Sequence, residues 1–346
     1  MRMSEVQRPG TWQGRVPYRL LSVLLSGLLV LAGIAIVYRR IDWREVTTVW
    51  TNLDSRLVAA ATILYWLQYP MNTFRLRQVI LWSTGRPPSA APPFWFLFKL
   101  TCSSGFVAVA APVGLAGDAA KIAALRLFGS LSITDAARSA LFDRVVGVQC
   151  IAIIGLASLP MQSAAGVDHG TVLTQLALFG GLLAAVGVLL VFPRALTLFR
   201  RPLLDRIARV FAGYWSMLHP GRLAIQLVIS LLNIISAWGT LYLLLRAAGL
   251  NTNVWIVGGF IPLLQLVNGL PFLYMGWGGR ELTMAATLGA AGSLTVNQTL
   301  AISIAWGVVL IVTGAVNGVF LLGDWRASGR GSQSPHPQDS SAGRIP

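Results

Sequence analysis

The stretch LLSVLLSGLLVLAGIAIVY (20–38) runs for nineteen residues without a charge. Five more runs free of Asp, Glu, Lys and Arg follow at 57–74, 145–161, 172–192, 223–245 and 297–322. An apolar helix of about 20 residues crosses the roughly 30 Å hydrocarbon core of a bilayer. Backbone polar groups at that depth must be satisfied within the protein, which leaves helices and closed barrels as the spanning structures. These runs are too long for barrel strands and lack the alternation of one. The expected fold class is therefore an all-α polytopic membrane protein. Composition agrees: 55% of residues are hydrophobic and 11% charged, with mean hydropathy +0.67, against about a quarter charged in soluble domains. The first run exceeds a typical signal-peptide core and no small-x-small site closes it, so it reads as a membrane helix.

The net charge of +15 comes almost wholly from arginine, Lys99 and Lys121 being the two lysines. In a chain of this class the excess reads as short loops facing anionic head groups, and no nucleic-acid partner is expected. Arg194, Arg200, Arg201, Arg206, Arg209 and Arg222 crowd one loop, whereas LPMQSAAGVDHG (159–170) has no basic residue. That contrast places 194–222 in the cytoplasm and 159–170 outside. The first hairpin is close to a tie, with Arg2, Arg8, Arg15 and Arg19 on one side and Arg39, Arg40, Arg44 and Arg56 on the other. The chain divides into a cytoplasmic segment 1–19, an integral domain 20–322 and a Ser-, Gly- and Pro-rich tail 323–346 that cannot bury a core. Both termini are expected in the cytoplasm of a bacterial inner membrane. Cys102 and Cys150 have no metal-ligand spacing, and His169, His219 and His336 lie far apart. No Walker loop, HExxH or GxSxG occurs. No metal, cofactor or catalytic set is expected.

Two apolar segments are interrupted. Residues 93–111 lead into PVGLAGDAAKIAALRLFG, and residues 254–272 lead into NGLPFLYMGWGGRELTMAATLGAAG. With six full spans and both termini inside, each must return to its starting side. Residues 93–135 then form one re-entrant helical hairpin and 250–294 a second of opposite orientation. The breaks share a frame: Pro112, Gly117 and Lys121 in the first, Pro271, Gly276 and Arg280 in the second. Pro removes a backbone donor, and Gly permits dihedrals that other residues resist. Gly114 and Gly278 are further helix-break candidates. Short, Gly/Pro-interrupted segments at matching positions are how inverted-repeat transporters build a central site.

The exposed N–H groups of a broken helix favour anions. Lys121 and Arg280 would add contacts to a phosphate. Asp118, Asp143, Arg144 and Glu281 are the charged neighbours. A carboxylate at membrane depth needs a partner, so Asp143 and Arg144 either pair with neighbours at the cytoplasmic interface, or Asp143 orients Lys121 or another cation while Arg144 meets a head group. Glu281 follows Arg280 directly and need not pair with it, because adjacent helix residues do not face each other. Lys99 either reaches the interface or faces the cavity, which Gln265 and Asn268 could line. Arg75 and Arg77 read as topology markers at the cytoplasmic end of the second span. Each motif also has a plainer reading: kinks for the prolines, close packing for the glycines, interfacial anchoring for the cations.

The motifs PVGLAGDAAKIAALRLFG, ALFDRVVG and NGLPFLYMGWGGRELTMAATLGAAG resemble the signatures of the lysylphosphatidylglycerol synthase transmembrane region-like, or flippase-like, membrane proteins. The residues that carry the resemblance are Pro112, Gly117, Asp118, Lys121, Asp143, Arg144 and Gly147, then Pro271, Gly276, Gly278, Arg280 and Glu281, across roughly 15–323. Lys121 stands where an Arg is more usual, and Tyr274, Met275 and Trp277 depart from the second signature. The resemblance implies movement of an anionic, or a polyprenyl- or hopanoid-type, lipid across the inner membrane. It implies no aminoacyl transfer, since no long polar region is present to hold a soluble synthase domain. The alternatives are a small-solute transporter and an accessory subunit of envelope-lipid or glycoconjugate biosynthesis, partnered by other envelope-biosynthesis proteins.

Overall fold

Every regular element among the described residues is helical. The computed structural model describes residues 42–111, 115–196, 213–270, 276–289 and 294–322, with side chains omitted for 189–196. Segment 1–19, the run 20–38, the tail 323–346 and the break residues Pro112, Gly114 and Pro271 lie outside that set. The chain divides at Asp42, and the elements below belong to the unit that begins at Trp43.

In order, the helices are α1 (Trp43–Thr51), α2 (Ser55–Trp66), α3 (Gln68–Thr84), α4 (Phe94–Ala110), α5 (Ala116–Leu127), α6 (Ile133–Ala164), α7 (His169–Leu196), α8 (Pro220–Ala247), α9 (Val254–Asn268), α10 (Gly279–Met284) and α11 (Val296–Asn317). A π turn, Ala285–Gly289, continues α10, and a 3₁₀ turn, Gly318–Leu322, continues α11. Four are long and apolar enough to cross a membrane: α6, α7 through Val188, α8, and α11 with its 3₁₀ turn. They match the runs expected at 145–161, 172–192, 223–245 and 297–322.

Two expectations need correction. The single span at 57–74 is two helices meeting at Leu67. Pro70 has no N–H to give the Trp66 carbonyl, so the ladder is interrupted there. The second correction concerns α6, which starts at Ile133, twelve residues before the expected 145. The Ser132 hydroxyl accepts the Asp135 N–H at 3.0 Å and caps that earlier start. Asp143 and Arg144 therefore sit about 15 Å along the helix, at 1.5 Å per residue, directly before the apolar run at 145–161.

Helices α4 and α5 form a hairpin. A Cβ on Gly117 would stand 2.7 Å from the Ser104 carbonyl oxygen and 3.0 Å from the Ala108 Cβ, while one on Gly129 would meet the Phe96 ring at 3.3 Å. Contacts that recede in one strand as they advance in the other define antiparallel packing. Gly117 is thus a close-approach glycine within a helix. Gly276, at the matching place in the second motif, has φ +75°, and a Cβ there would overlap Asn268 Oδ1. Gly278 has φ +81°. The two motifs share spacing, but their glycines meet different physical needs.

The largest core cluster joins Leu241 and Leu244 of α8, Val257, Phe260 and Leu264 of α9, Met284 and Leu288 beyond the second break, and Trp306 of α11. Small residues let the helices approach: a Cβ on Gly155 would lie 2.6 Å from the Phe179 ring. Helices α6, α7 and α9 are also tied by a buried amide cluster. Gln162 and Gln175 exchange hydrogen bonds at 3.0 and 2.8 Å, and Gln162 Nε2 donates to the Gly259 carbonyl at 2.9 Å. Ser158 Oγ donates to the same carbonyl at 3.2 Å. Gly259 lies three residues before Pro262 inside α9, so its carbonyl takes side-chain donors from α6 beside the proline.

Candidate functional site

A pocket of about 220 Å³ opens beside the first hairpin. Three helices build its charged wall. Helix α3 supplies Arg75, α5 supplies Asp118 and Lys121, and α6 supplies Asp143 and Arg144. Asp118 and Lys121 are one turn apart on α5, so both point the same way. Tyr69, Asn72, Thr101 and Ser104 complete the wall with neutral hydrogen-bonding groups. Tyr69 lies against the α4 backbone, its hydroxyl 2.9 Å from where a Cβ on Gly105 would be.

The charges interleave. Arg75 Nε donates to Asp143 Oδ1 at 2.9 Å. Lys121 Nζ stands 3.7 Å from Asp143 Oδ2 and 3.9 Å from Asp118 Oδ1. Arg144 Nε donates to Asp118 Oδ2 in a short contact, and its Nη1 donates to the Gly269 carbonyl at 3.0 Å. Gly269 ends α9, where carbonyls lack intrahelical partners and favour a cation. Arg144 therefore links the first hairpin to the approach of the second. With all five groups ionised, three cations face two carboxylates.

Lys121 is held between carboxylates at ion-pair distance, beyond ordinary hydrogen-bond length. Its ammonium donors stay available to a ligand. A Cβ on Gly147 would lie 3.6 and 3.7 Å from Arg75 Nη1 and Nη2, so the guanidinium packs against the α6 backbone at ordinary contact distance. Arg75 is the residue the sequence reading missed, having been assigned to topology alone. Its signal was the face it shares on α3 with Gln68 and Asn72, four and three residues apart.

The second break places its charges differently. Arg280 is fully buried. Its Nε donates to Ser303 Oγ at 3.0 Å and its Nη2 to Glu281 Oε1 at 3.2 Å, with the Trp277 ring centroid 5.2 Å from its Cζ. Ser303 Oγ donates to Glu281 Oε1 at 2.8 Å, and the Gly278 N–H donates to Glu281 Oε2 at 2.6 Å. Arg280 and Glu281 thus pair although adjacent. Glu281 bends back to cap the start of α10, and Ser303 bridges the two side chains. The 220 Å³ pocket takes in Asp118, Lys121, Asp143 and Arg144, while Arg280, Glu281, Lys99, Gln265 and Asn268 are not part of its wall. Lys99, Gln265 and Asn268 are half-buried on α4 and α9. No group of three His, Cys, Asp or Glu side chains able to hold a metal occurs among the described residues.

No curated protein sequence matches the chain. The family model of the lysylphosphatidylglycerol synthase TM region matches residues 20–318. The match is to the membrane region of that family and not to its catalytic part. With four long apolar spans and two shorter apolar helices, this is a multi-pass helical membrane protein, and it belongs to the lysylphosphatidylglycerol synthase transmembrane region family.

Proposed function

We propose that the protein is a lipid translocator whose α3–α5–α6 pocket receives the head group of an anionic lipid at the bacterial inner membrane. The observation that carries this reading is the convergence of Arg75, Lys121 and Arg144 on two carboxylates, with the Lys121 ammonium held at 3.7 and 3.9 Å from them. A phosphate entering there meets an excess of one positive charge and charge-assisted donors. The pocket's roughly 220 Å³ is below the 300–1,000 Å³ usual for drug-sized ligands. It suits a head group whose acyl chains remain outside, and this favours a lipid over a whole water-soluble solute.

Reconstituted protein, assayed with a fluorescent phosphatidylglycerol and a leaflet-specific quench, tests the reading. Lys121→Gln is expected to slow translocation by about 10- to 100-fold, the scale of a lost charge-assisted contact. Lys121→Arg should retain most of the rate. Equal rates in the wild type and Lys121→Gln would remove the pocket from the mechanism.

The lengths of α4 and α9 support re-entry, which the charge pattern places on opposite faces. At 1.5 Å per residue, the 17 residues of α4 and 15 of α9 reach about 26 and 23 Å, short of the roughly 30 Å core. Single cysteines at Ser89 and Ser130, flanking the first hairpin, should label from the cytoplasmic side. Cysteines at Asn251 and Val296, flanking the second, should label from the opposite side. Ser89 and Ser130 labelling from different sides would show that the α4–α5 segment crosses the bilayer once instead of returning to its starting face.

A further inference from the structure

We infer that the interface between α3 and α8 is a closed polar seam that parts to line the route of the head group out of the pocket. This rests on the translocator reading. The register of the two helices follows from two contacts. Gln68 Nε2 donates to Ser236 Oγ at 3.4 Å, and the Arg222 guanidinium lies 5.5 Å from the Trp82 ring centroid. One helix advances as the other retreats, so they run antiparallel. Asn72 then falls opposite Asn233, and Arg75 opposite Ser230. A bridge through α6 supports the second match, since the Cys150 thiol adjoins both Ser230 and Arg75.

Both facing surfaces are polar along this register. Gln68, Asn72 and Arg75 share one face of α3, and Asn72 and Arg75 also line the pocket. Gln226, Ser230 and Asn233, spaced four and three apart, share one face of α8. They are 1%, 3% and 7% exposed. Among the described residues, both amide atoms of Gln226 and Asn233 Oδ1 are buried without a hydrogen-bond partner, while the Ser230 hydroxyl has the Cys150 thiol beside it. Packing alone does not account for this stripe. A polar helix interface meant to stay shut pairs its polar groups across the seam, as Gln162 and Gln175 do, and each buried orphan polar atom raises the free energy of the closed state.

Opening relieves that penalty by giving the orphan groups water or a ligand. The chemistry the stripe offers is neutral: an amide that donates and accepts, a hydroxyl that does both, and a carbonyl that accepts. It matches hydroxyl groups on a lipid head group while Arg75, at the junction of pocket and seam, keeps the phosphate. The seam thus begins where the charged site ends.

The test locks the seam reversibly in full-length protein. In a background with Cys102→Ser and Cys150→Ser, cysteines are placed at Gln68 and Ser236 and bridged with a short bis-methanethiosulfonate reagent. Bridging is expected to slow phosphatidylglycerol translocation by about tenfold or more, as for a gating step held shut, and reductant should restore it in the same vesicles. Binding of phosphatidylglycerol to the bridged protein should stay within about twofold, because the pocket is untouched. Bridged protein that translocates at the reduced rate overturns the seam and leaves the translocator reading intact. A parent double-cysteine protein that binds the lipid without moving it, when the wild type does the same, overturns the translocator reading itself and the seam with it. Gln226→Leu supplies an independent readout: it should raise the melting temperature while slowing translocation. A higher melting temperature with unchanged translocation marks the stripe as a packing defect and overturns the inference.

Discussion

Asp143→Asn is expected to destabilise the folded protein by about 3–5 kcal/mol, the usual cost of removing one partner from a buried ion pair. Asp143 is a half-shared counter-ion: Oδ1 accepts from Arg75 at 2.9 Å and Oδ2 faces Lys121 at 3.7 Å. Its side chain is 9% exposed, that of Lys121 13% and that of Arg75 15%, so water cannot replace the lost charge. Asparagine keeps the shape and one acceptor but leaves three cations to one carboxylate, Asp118, which pairs with Lys121 and Arg144 and not with Arg75. Thermal unfolding in detergent should show the drop, and Arg75→Gln in the same chain should recover part of it. An anion in the pocket should also stabilise the variant more than the wild type, because it supplies the missing charge and binds the native state alone. A melting temperature indifferent to Asp143→Asn would mean the pair carries no net structural weight.

Arg280→Gln should cost a similar amount, about 3–5 kcal/mol, for a different reason. Arg280 is fully buried and holds three elements at once: Ser303 on α11, Glu281 at the start of α10 and the Trp277 ring in the turn before it. Truncation leaves Glu281 with Ser303 and the Gly278 N–H but without a countercharge. Arg280→Lys should rescue little, since a point ammonium cannot give parallel donors to Ser303 and Glu281 while stacking on Trp277. Space enforces the same conclusion, because a Cβ on Gly307 would lie 2.8 Å from Arg280 Nη2. The check is again thermal unfolding, paired with lipid binding per folded molecule. An Arg280→Gln protein of wild-type stability that no longer binds phosphatidylglycerol would instead make Arg280 a ligand contact.

These two residues show how far the sequence could be read. Four of the apolar runs were legible as long helices because hydrocarbon thickness and backbone satisfaction leave few options. Asp118, Lys121, Asp143 and Arg144 were legible too, because charges are scarce in such a chain and each needs a partner. Arg75 was not, because a basic residue near a span end has an adequate explanation in topology; its partner, Asp143, is 68 positions away. The length of α6 was hidden for a similar reason: Asp135, Arg138, Asp143 and Arg144 interrupt its apolarity but not its helix. The matched spacing of the two motifs implied matched roles for Lys121 and Arg280. Linear distance from a proline does not set depth of burial, and the ring of Trp277 with the space at Gly307 draws Arg280 into the core.

The 32 residues of α6 also serve as a ruler. At 1.5 Å per residue the helix is about 48 Å long, well beyond the roughly 30 Å of hydrocarbon that 20 residues suffice to cross. Counting 20 residues back from Ala164 arrives at Arg144 and its neighbour. The acid–base pair of this helix therefore falls at one edge of the span counted from Ala164. On the translocator proposal, a lipid phosphate would meet the pocket at the depth it already occupies in the bilayer, and entry would ask for sideways diffusion instead of extraction.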